Sequence, residues 1–156
     1  LVQDTAASWD SFRLVCAELQ THTSFLLTTT DALIPSDETS RFAARMAQEG
    51  ASLGLGLTRS VNDDKPLWAE ISASGRVTAR GPDCRRRELA TAGLYYMTGA
   101  RARTLPRAGG YASLRDYLAA AVRDSESVLG LELGPTLDVD RPEDLSAAAE
   151  FVQAGS

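Results

Sequence analysis

The sequence predicts an α/β fold, with a mostly parallel β-sheet flanked by helices and an inserted β-hairpin. Stretches with a helical apolar stripe alternate along the chain with short apolar or alternating stretches typical of strands. The stretch LWAEISASGRVTARG interrupts this alternation and indicates a hairpin that turns near Ser74 and Gly75. At 156 residues, 44% hydrophobic and 24% charged, the chain has the composition of one globular domain with a sizeable core.

The first half of the chain predicts two helices and two strands. A helix from Ser8 to about Gln20 carries apolar residues on one face, and the buried strand SFLLTTTD follows and ends at Asp31. A second helix opens near Ser36 with acids in its first turn and ends before Gly50. The stretch ASLGLGLTR alternates leucine and glycine, which indicates a strand against which another element packs closely.

The second half adds two strands and two helices beyond the hairpin. TAGLYYM and SVLGLEL are strand candidates, and ASLRDYLAAAVRD is a helix that starts at Ser113. In RPEDLSAAAEFVQAG, the Asp140 to Glu143 spacing fits a capping box, so we expect Asp140 to cap the last helix. The apolar stripe of this helix is expected to face the core and comprises Leu145, Ala148, Ala149 and Val152.

Composition and charge exclude several classes of function. A net charge of −5 argues against a nucleic-acid partner, and the chain contains no apolar run of the roughly 20 residues needed to span a membrane. Cys16 and Cys84 are far apart and His22 is the only histidine, so the sequence predicts no zinc site and a reducing, cytoplasmic setting. The start at Leu1 shows no signal peptide and suggests a processed N-terminus, and oligomeric state is left open.

Two acids follow predicted strands, where ligands gather in α/β sheets. Asp31 ends one strand, and Asp138 follows another. Asp138 lies two residues before Asp140 on an extended segment, so both side chains could project on the same side. Carboxylates placed together would suit Mg²⁺, which prefers oxygen ligands. Taken alone, Asp31 could equally be a turn-forming aspartate.

Three segments carry a resemblance to a known class of enzyme. FLLTTTDALIPSD, TAGLYYM and LDVDRPEDLSAAAEFV, in this order and spacing, resemble Rossmann-like nucleotidyltransferases, in particular molybdenum-cofactor guanylyltransferase-like enzymes and sugar-1-phosphate nucleotidyltransferases. In those families one aspartate follows a hydrophobic strand, as Asp31 does, and a second lies in a D-x-D-T-P-E-D-L-like segment. Asp138 matches that second position, and Arg141 replaces the usual threonine. The resemblance implies that Asp31 and Asp138 are catalytic and hold Mg²⁺.

Further binding residues are predicted with a structural alternative for each. The resemblance implies that Thr5, Ala6 and Ala7 in DTAAS contact the nucleobase, although they could simply begin a helix. It also implies that Gly93 in TAGLYY lies near the acceptor substrate, although a packing role would explain the glycine as well. Lys65 in NDDKPLW could reach a substrate phosphate, but its acidic neighbours favour an ordinary surface turn.

One family feature is missing from the sequence. Members of these families carry an LAAGxGxR-like loop whose backbone N–H groups cradle the triphosphate, and nothing here matches it. We therefore expect residues 1–156 to form a nucleotidyltransferase-like domain that is the C-terminal fragment of a longer domain. The implied reaction transfers a nucleoside monophosphate from a nucleoside triphosphate to a phosphorylated small-molecule acceptor, a sugar phosphate or a cofactor phosphate, and releases pyrophosphate. The alternatives are an inactive binding or regulatory module and a structural domain with incidental acids.

Overall fold

The computed structural model describes residues 4–60, 66–106, 108–124 and 127–154 of the chain. The helices are α1 (Ser8–Leu19), α2 (Ser36–Gln48), the short α3 (Gly99–Ala102), α4 (Leu114–Arg123) and α5 (Asp144–Ala154). The strands are β1 (Ser24–Thr28), β2 (Ala32–Leu33), β3 (Leu53–Thr58), β4 (Trp68–Ile71), β5 (Val77–Arg80), β6 (Leu89–Thr98), β7 (Val128–Glu132) and β8 (Leu137–Asp138). A 3₁₀ turn, Gly81–Asp83, follows β5. None of the described helices is long and apolar enough to cross a bilayer.

The main sheet is built around β6, which has a neighbour on each edge. On one edge β6 pairs with β3, and β3 pairs in turn with β7. On the other edge β6 pairs with β1 along its C-terminal half and with β4 at its first residues, while β4 also pairs with β5. A separate two-stranded ribbon joins β2 to β8. The predicted α/β class is therefore confirmed, with a central sheet and flanking helices.

The prediction that the sheet is mostly parallel is wrong. Among the described strands β3 and β7 form a parallel pair, whereas β6 runs antiparallel to β1, β3 and β4. β1, β3 and β7 do share one direction, but β6 is inserted between β1 and β3 in the opposite direction. A parallel sheet needs crossover connections between its strands, but in the described part of the chain only the β4–β5 hairpin and the 3₁₀ turn lie between β3 and β6, so β6 returns in the opposite direction.

Helices cover both faces of the sheet, and the LGLGLT stretch of β3 shows how. Leu53, Leu55 and Leu57 face one core cluster, which includes Trp9 and Phe12 of α1 and residues of α4. Gly54 faces α2: a Cβ there would lie 2.8 Å from Cγ of Met46 and would overlap its sulfur, whereas a Cβ on Gly56 would crowd Leu133 and Leu94. The close approach predicted from these glycines is confirmed, because an added Cβ at either position would crowd its neighbours. The second core cluster, on the α2 face, includes Phe42, Met46, Leu94 and Tyr96.

The inserted hairpin is also confirmed. β4 and β5 pair antiparallel, and the turn between them contains Gly75 at a φ of 80°. The hairpin does not stand apart from the sheet, because the Gly75 carbonyl accepts a hydrogen bond of 2.8 Å from the N–H of Gly130 in β7. The predicted turn near Ser74 and Gly75 therefore also ties the hairpin to the opposite edge of the sheet.

The last helix differs from its prediction in two respects. α5 begins at Asp144, and the Asp144 carboxylate accepts hydrogen bonds from the N–H groups of Asp140 and Arg141, at 3.1 and 2.9 Å. The expectation that Asp140 caps this helix is wrong. The expectation that the α5 stripe faces the core is also wrong, because Leu145 is 61% exposed and Val152 is 56% exposed.

Candidate active site

The β2–β8 ribbon brings the two predicted metal-binding aspartates together. Ala32 of β2 is in register with Asp138 of β8, and the N–H of Val139 donates a 2.9 Å hydrogen bond to the Asp31 carbonyl. Residues that are 107 apart by their sequence numbers, Asp31 and Asp138, therefore occupy neighbouring positions on adjacent extended segments. Each strand of the ribbon follows a strand of the main sheet through a short connection: β2 follows β1, and β8 follows β7.

A cavity of about 270 Å³ opens beside this ribbon. Asp31, Asp138 and Asp140 all line it. Val139, between two of them, lines a separate groove beside α5. This alternation is what an extended strand produces, and it confirms the expectation that Asp138 and Asp140 project on the same side. The remaining lining residues are Ser8, Thr29, Leu67, Thr91, Gly93, Tyr95, Leu114, Arg115 and Leu118.

Asp140 lines the cavity, although its sequence context predicted that it would cap the last helix. Its capping role was predicted from the spacing to Glu143, yet among the described residues no hydrogen bond joins the Asp140 carboxylate to α5. The Asp144 carboxylate instead accepts hydrogen bonds from the N–H groups of Asp140 and Arg141, which precede the helix.

Gly93 lies at an irregularity in β6 that faces the cavity. Leu55 and Leu57 are two residues apart on β3, whereas their partners Tyr95 and Thr91 are four apart on β6. Gly93 lies within this bulge at a φ of 70°, a conformation that favours glycine. A Cβ there would overlap the Thr29 hydroxyl, so the glycine lets the loop after β1 approach β6. The structure thus supplies the packing reason for Gly93 and also places it at the cavity.

Three other predicted binding residues, Thr5, Ala6 and Ala7, lie outside the cavity lining. Thr5 hydrogen-bonds through its hydroxyl to the Ala7 carbonyl at 3.2 Å and also to the Ser11 hydroxyl, just before α1 begins. The cavity lining includes Ser8 but not Thr5, Ala6 or Ala7. Lys65 falls outside the described residues.

The positive charge near the site comes from residues that the sequence analysis did not single out. Arg115 of α4 lines the cavity, and its carbonyl accepts a 3.2 Å hydrogen bond from Nη1 of Arg80. Arg80 is only 2% exposed, and its Nε and Nη2 atoms have no hydrogen-bond partner among the described residues. Burial lowers the pKa of Arg80 to about 10 and raises the pKa of Tyr95, which lines the cavity. No periodicity or spacing in the sequence points to either arginine.

The carboxylates are chemically suited to Mg²⁺. This ion is commonly held by one or two carboxylates together with water and substrate phosphates, and Asp31 and Asp138 line one cavity. In the described part of the chain, no group of three or more His, Cys, Asp or Glu side chains is arranged to hold a metal by itself. The donor set thus fits an ion shared with a phosphorylated ligand better than a closed structural site.

The described elements form a layered α/β domain with helices on both faces of the main sheet. No family model and no curated protein matches the chain. Among solved structures, the inositol-1-phosphate CTP transferase from T. maritima matches with a TM-score of 0.73 and 18% identity, over 96% of this chain and 62% of that protein. A Bacillus anthracis protein assigned as a glucose-1-phosphate thymidylyltransferase, solved with sucrose, matches with a TM-score of 0.72 and 13% identity, over 97% and 63% respectively.

These matches confirm the fold that the resemblance implied. The chain spans less than two thirds of the length of either protein. What those proteins act on, a sugar or polyol 1-phosphate and a nucleotide according to their names, is a property of those proteins and not an observation on this chain.

Proposed function

We propose that this chain carries the catalytic acids of a Mg²⁺-dependent nucleotidyltransferase that moves a nucleoside monophosphate from a nucleoside triphosphate to a phosphorylated small molecule. The observation that carries the proposal is the β2–β8 ribbon, which delivers Asp31 and Asp138 to one cavity. The structural neighbours support it, because both are named for transfer of a nucleotide to a sugar or polyol 1-phosphate.

In this reaction an acceptor phosphate oxygen attacks the α-phosphorus, the bond to the bridging oxygen breaks, and pyrophosphate leaves. Asp31 and Asp138 would hold Mg²⁺, which when bound neutralises charge on the phosphate oxygens and orients them. Arg115, on the cavity wall, can offset the charge of a phosphate group. Little covalent work falls to the protein in phosphoryl transfer, so no nucleophilic side chain is required.

The neutral lining gives candidate positions for the substrates. Gly93 lines the cavity, which makes it a candidate position for the acceptor. Thr5, Ala6 and Ala7 stay a predicted nucleobase contact; they immediately precede Ser8, which lines the cavity. The cavity is about 270 Å³, close to the lower end of the range for small-molecule sites, so a nucleotide would extend beyond it.

A second candidate function is an inactive binding or regulatory module with the same fold. The absence of an LAAGxGxR-like segment from the sequence favours it. Within the described lining, Arg115 is the one positively charged residue, which is little for a triphosphate. The retention of both strand-end acids favours the enzyme.

A product assay separates the two candidates. The protein at its full natural length is incubated with Mg²⁺, each of the common nucleoside triphosphates and a panel of sugar and polyol 1-phosphates, and pyrophosphate and nucleotide–sugar products are measured by mass spectrometry. The enzyme predicts product that is lost in Asp31→Asn and Asp138→Asn but kept in Asp124→Asn, a control acid at the end of α4. Nucleotide binding without product would favour the inactive module. Neither binding nor product would contradict both.

A further inference from the structure

One wall of the candidate cavity is the first turn of α4, and two other elements hold this turn in place. Leu114, Arg115 and Leu118 line the cavity. The N–H of Leu114 donates a 3.1 Å hydrogen bond to the hydroxyl of Ser8 at the start of α1. The carbonyl of Arg115 accepts the 3.2 Å hydrogen bond from Nη1 of Arg80 at the end of β5. The position of this wall therefore depends on a serine hydroxyl and on a buried cation.

The acidic and basic residues of the cavity belong to different elements. The basic residue of the lining, Arg115, lies on α4, whereas the three acids lie on the β2–β8 ribbon or next to it: Asp31, Asp138 and Asp140. Arg80 is not a lining residue, but its charge interacts with Tyr95 and Arg115, which both line the cavity. Arg80 therefore adds positive charge behind the α4 wall.

The hydrogen bond to α4 does not by itself explain why a cation is buried here. Arg80 is 2% exposed and forms no ion pair with a described carboxylate, and its Nε and Nη2 atoms have no hydrogen-bond partner among the described residues. Burial lowers the pKa of Arg80 to about 10, so the guanidinium is still charged at neutral pH. A neutral donor would hold a carbonyl without the desolvation of a charge. A buried positive charge beside a ligand cavity is instead what an anionic ligand would offset.

We propose that Arg80 is a positioning residue, whose buried guanidinium fixes the first turn of α4 and adds positive charge behind it, so that Arg115 and this wall of the cavity bind a phosphate group. Salt screens a charge inside the protein less than a surface charge, so Arg80 attracts an anion in the cavity without touching it. Arg115 makes the contact, because a guanidinium forms charge-assisted and often bidentate hydrogen bonds with phosphate.

The aspartates of the cavity explain why a phosphate needs a second cation. A phosphate monoester carries about two negative charges near neutral pH, and carboxylates that line the same cavity repel it. Arg115 alone offsets one of these charges, whereas Arg115 together with Arg80 offsets both. That the phosphate belongs to the acceptor rests on the proposed function, but the binding of phosphate by the α4 wall does not.

The affinity for inorganic phosphate tests the role of Arg80 without any turnover. Inorganic phosphate is titrated into the protein at its full natural length, at constant Mg²⁺, and binding is measured by calorimetry. We expect Arg80→Met and Arg115→Met each to weaken binding by at least about tenfold. The loss in the double variant should be smaller than the product of the two single losses, because Arg80 acts partly through Arg115. The exposed Arg85→Met is the matched control and should bind phosphate as the wild type does.

Stability, kinetics and spectroscopy separate this role from a merely structural one. A residue that only held α4 would lose stability and affinity together when replaced, whereas Arg80→Met should lose affinity while its resistance to urea rises. In the product assay, Arg80→Met should raise KM for the phosphorylated acceptor by at least about tenfold and leave kcat within about twofold, because Arg80 acts on binding. In the wild type, phosphate should shift the Nε–H NMR resonances of Arg80 and Arg115 but not that of Arg85. This last measurement tests the inference even if Arg80→Met does not fold.

Each outcome supports or overturns the proposal. Phosphate affinity that depends on Arg80, together with the gain in stability, supports it; if no product then forms in the product assay, only the proposed function is contradicted. Product formation with an unchanged acceptor KM in Arg80→Met overturns the role of Arg80 and leaves the proposed function intact. No phosphate binding by the wild type, unchanged affinity in folded Arg80→Met, or single losses that multiply in the double variant also overturn it. A joint loss of stability and affinity in Arg80→Met assigns Arg80 a structural role only and overturns it too.

Discussion

At the level of single residues, two positions at the candidate site are unusual. Gly93 has no room for a side chain, and the buried charge of Arg80 opposes folding. Gly93 combines a left-handed backbone with contact distances that exclude a side chain. Arg80 is a buried cation without a described carboxylate partner, next to the carbonyl of a cavity residue. Native proteins tolerate such features most often near functional sites, where local strain serves binding or catalysis.

Replacing Gly93 with alanine should destabilise the protein by at least about 2 kcal/mol, because strained backbone and steric overlap with Thr29 act together. Gly50→Ala is a matched control, since Gly50 has a φ of 64° but a Cβ added there would have no atom within 4 Å. Gly50→Ala should therefore lower the free energy of unfolding only through the strained backbone, by about 1 kcal/mol. Urea denaturation measures the free energy of unfolding of both variants. An equal loss of stability in the two would show that the packing against Thr29 does not constrain Gly93.

Replacing Arg80 with methionine should stabilise the protein by about 1–3 kcal/mol, because a buried cation is exchanged for an apolar side chain of similar length. The pKa of Arg80 in the fold, about 10, lies below its ordinary 12.5, so the charged form opposes folding. That cost is fully present below about pH 10 and is relieved as the pH rises toward 12.5. Urea denaturation near neutral pH therefore measures it in full.

The exposed Arg85→Met is the control for this comparison and should change the free energy of unfolding by no more than about 0.5 kcal/mol. A loss of stability in Arg80→Met that Arg85→Met does not share would show that Arg80 makes a compensating interaction in solution.

At the level of elements, the position of β8 depends on a contact between α2 and the connection after β7. The Glu38 carboxylate accepts a 2.6 Å hydrogen bond from the N–H of Gly134, and it also binds Arg41. Arg41 donates in turn to the Glu132 carbonyl at 2.8 Å. Helix α2 thereby holds the segment that leads from β7 to Asp138, so its first turn contributes to the geometry of the site.

Replacing Glu38 with glutamine should cost about 1 kcal/mol at neutral pH. The hydrogen bond from Arg41 is the largest cause that lowers the pKa of Glu38, and the hydrogen bond from Gly134 lowers this pKa further. Because the folded pKa lies below the unfolded value of 4.5, the contribution is present above that pH and is lost as the pH falls through the folded pKa. The difference between wild type and variant should therefore shrink in acid, as measured by thermal unfolding at several pH values.

Glu150→Gln, at an exposed position on α5, is the control for the pH series. A difference between wild type and Glu38→Gln that persists unchanged in acid would show that the carboxylate charge does not hold this connection.

Some of these elements were predicted correctly from the sequence and others were not, because each sequence pattern carries different structural information. The leucine–glycine alternation of β3 encoded two different faces, and both the strand and its close helix contact were predicted correctly. Helix periodicity located α1, α2 and α4, whose apolar faces are buried. The direction of β6 was not predictable, because strand direction depends on connections and not on hydrophobic period.

Part of the candidate site was predictable for the same reason. Asp31 and Asp138 stood out because they follow strands, and the structure places them at one cavity. Asp140 was misassigned because Asp140 and Asp144 both satisfy local rules for a helix start, and only the three-dimensional contacts separate them. Arg80 and Arg115 come together from a strand and a helix that are distant in sequence, so no local pattern could reveal them.

At the level of the whole molecule, the chain is a layered domain whose exposed apolar surface and candidate site meet at the same edge. Val15 lines a groove beside β1, Leu145 and Val152 line a groove beside β2, and both grooves reach Asp31. The fold is that of nucleotidyltransferases, and the chain spans 62% of the T. maritima enzyme.

The most direct test of the central claim, that Asp31 and Asp138 jointly hold a divalent cation, is titration with Mn²⁺ in the presence of nucleoside triphosphate, followed by electron paramagnetic resonance of free Mn²⁺. We expect binding by the wild type, a loss of at least about tenfold in affinity in Asp31→Asn and in Asp138→Asn, and no change in Asp124→Asn. Equal affinity in wild type and in both site variants, all of them folded, would contradict it.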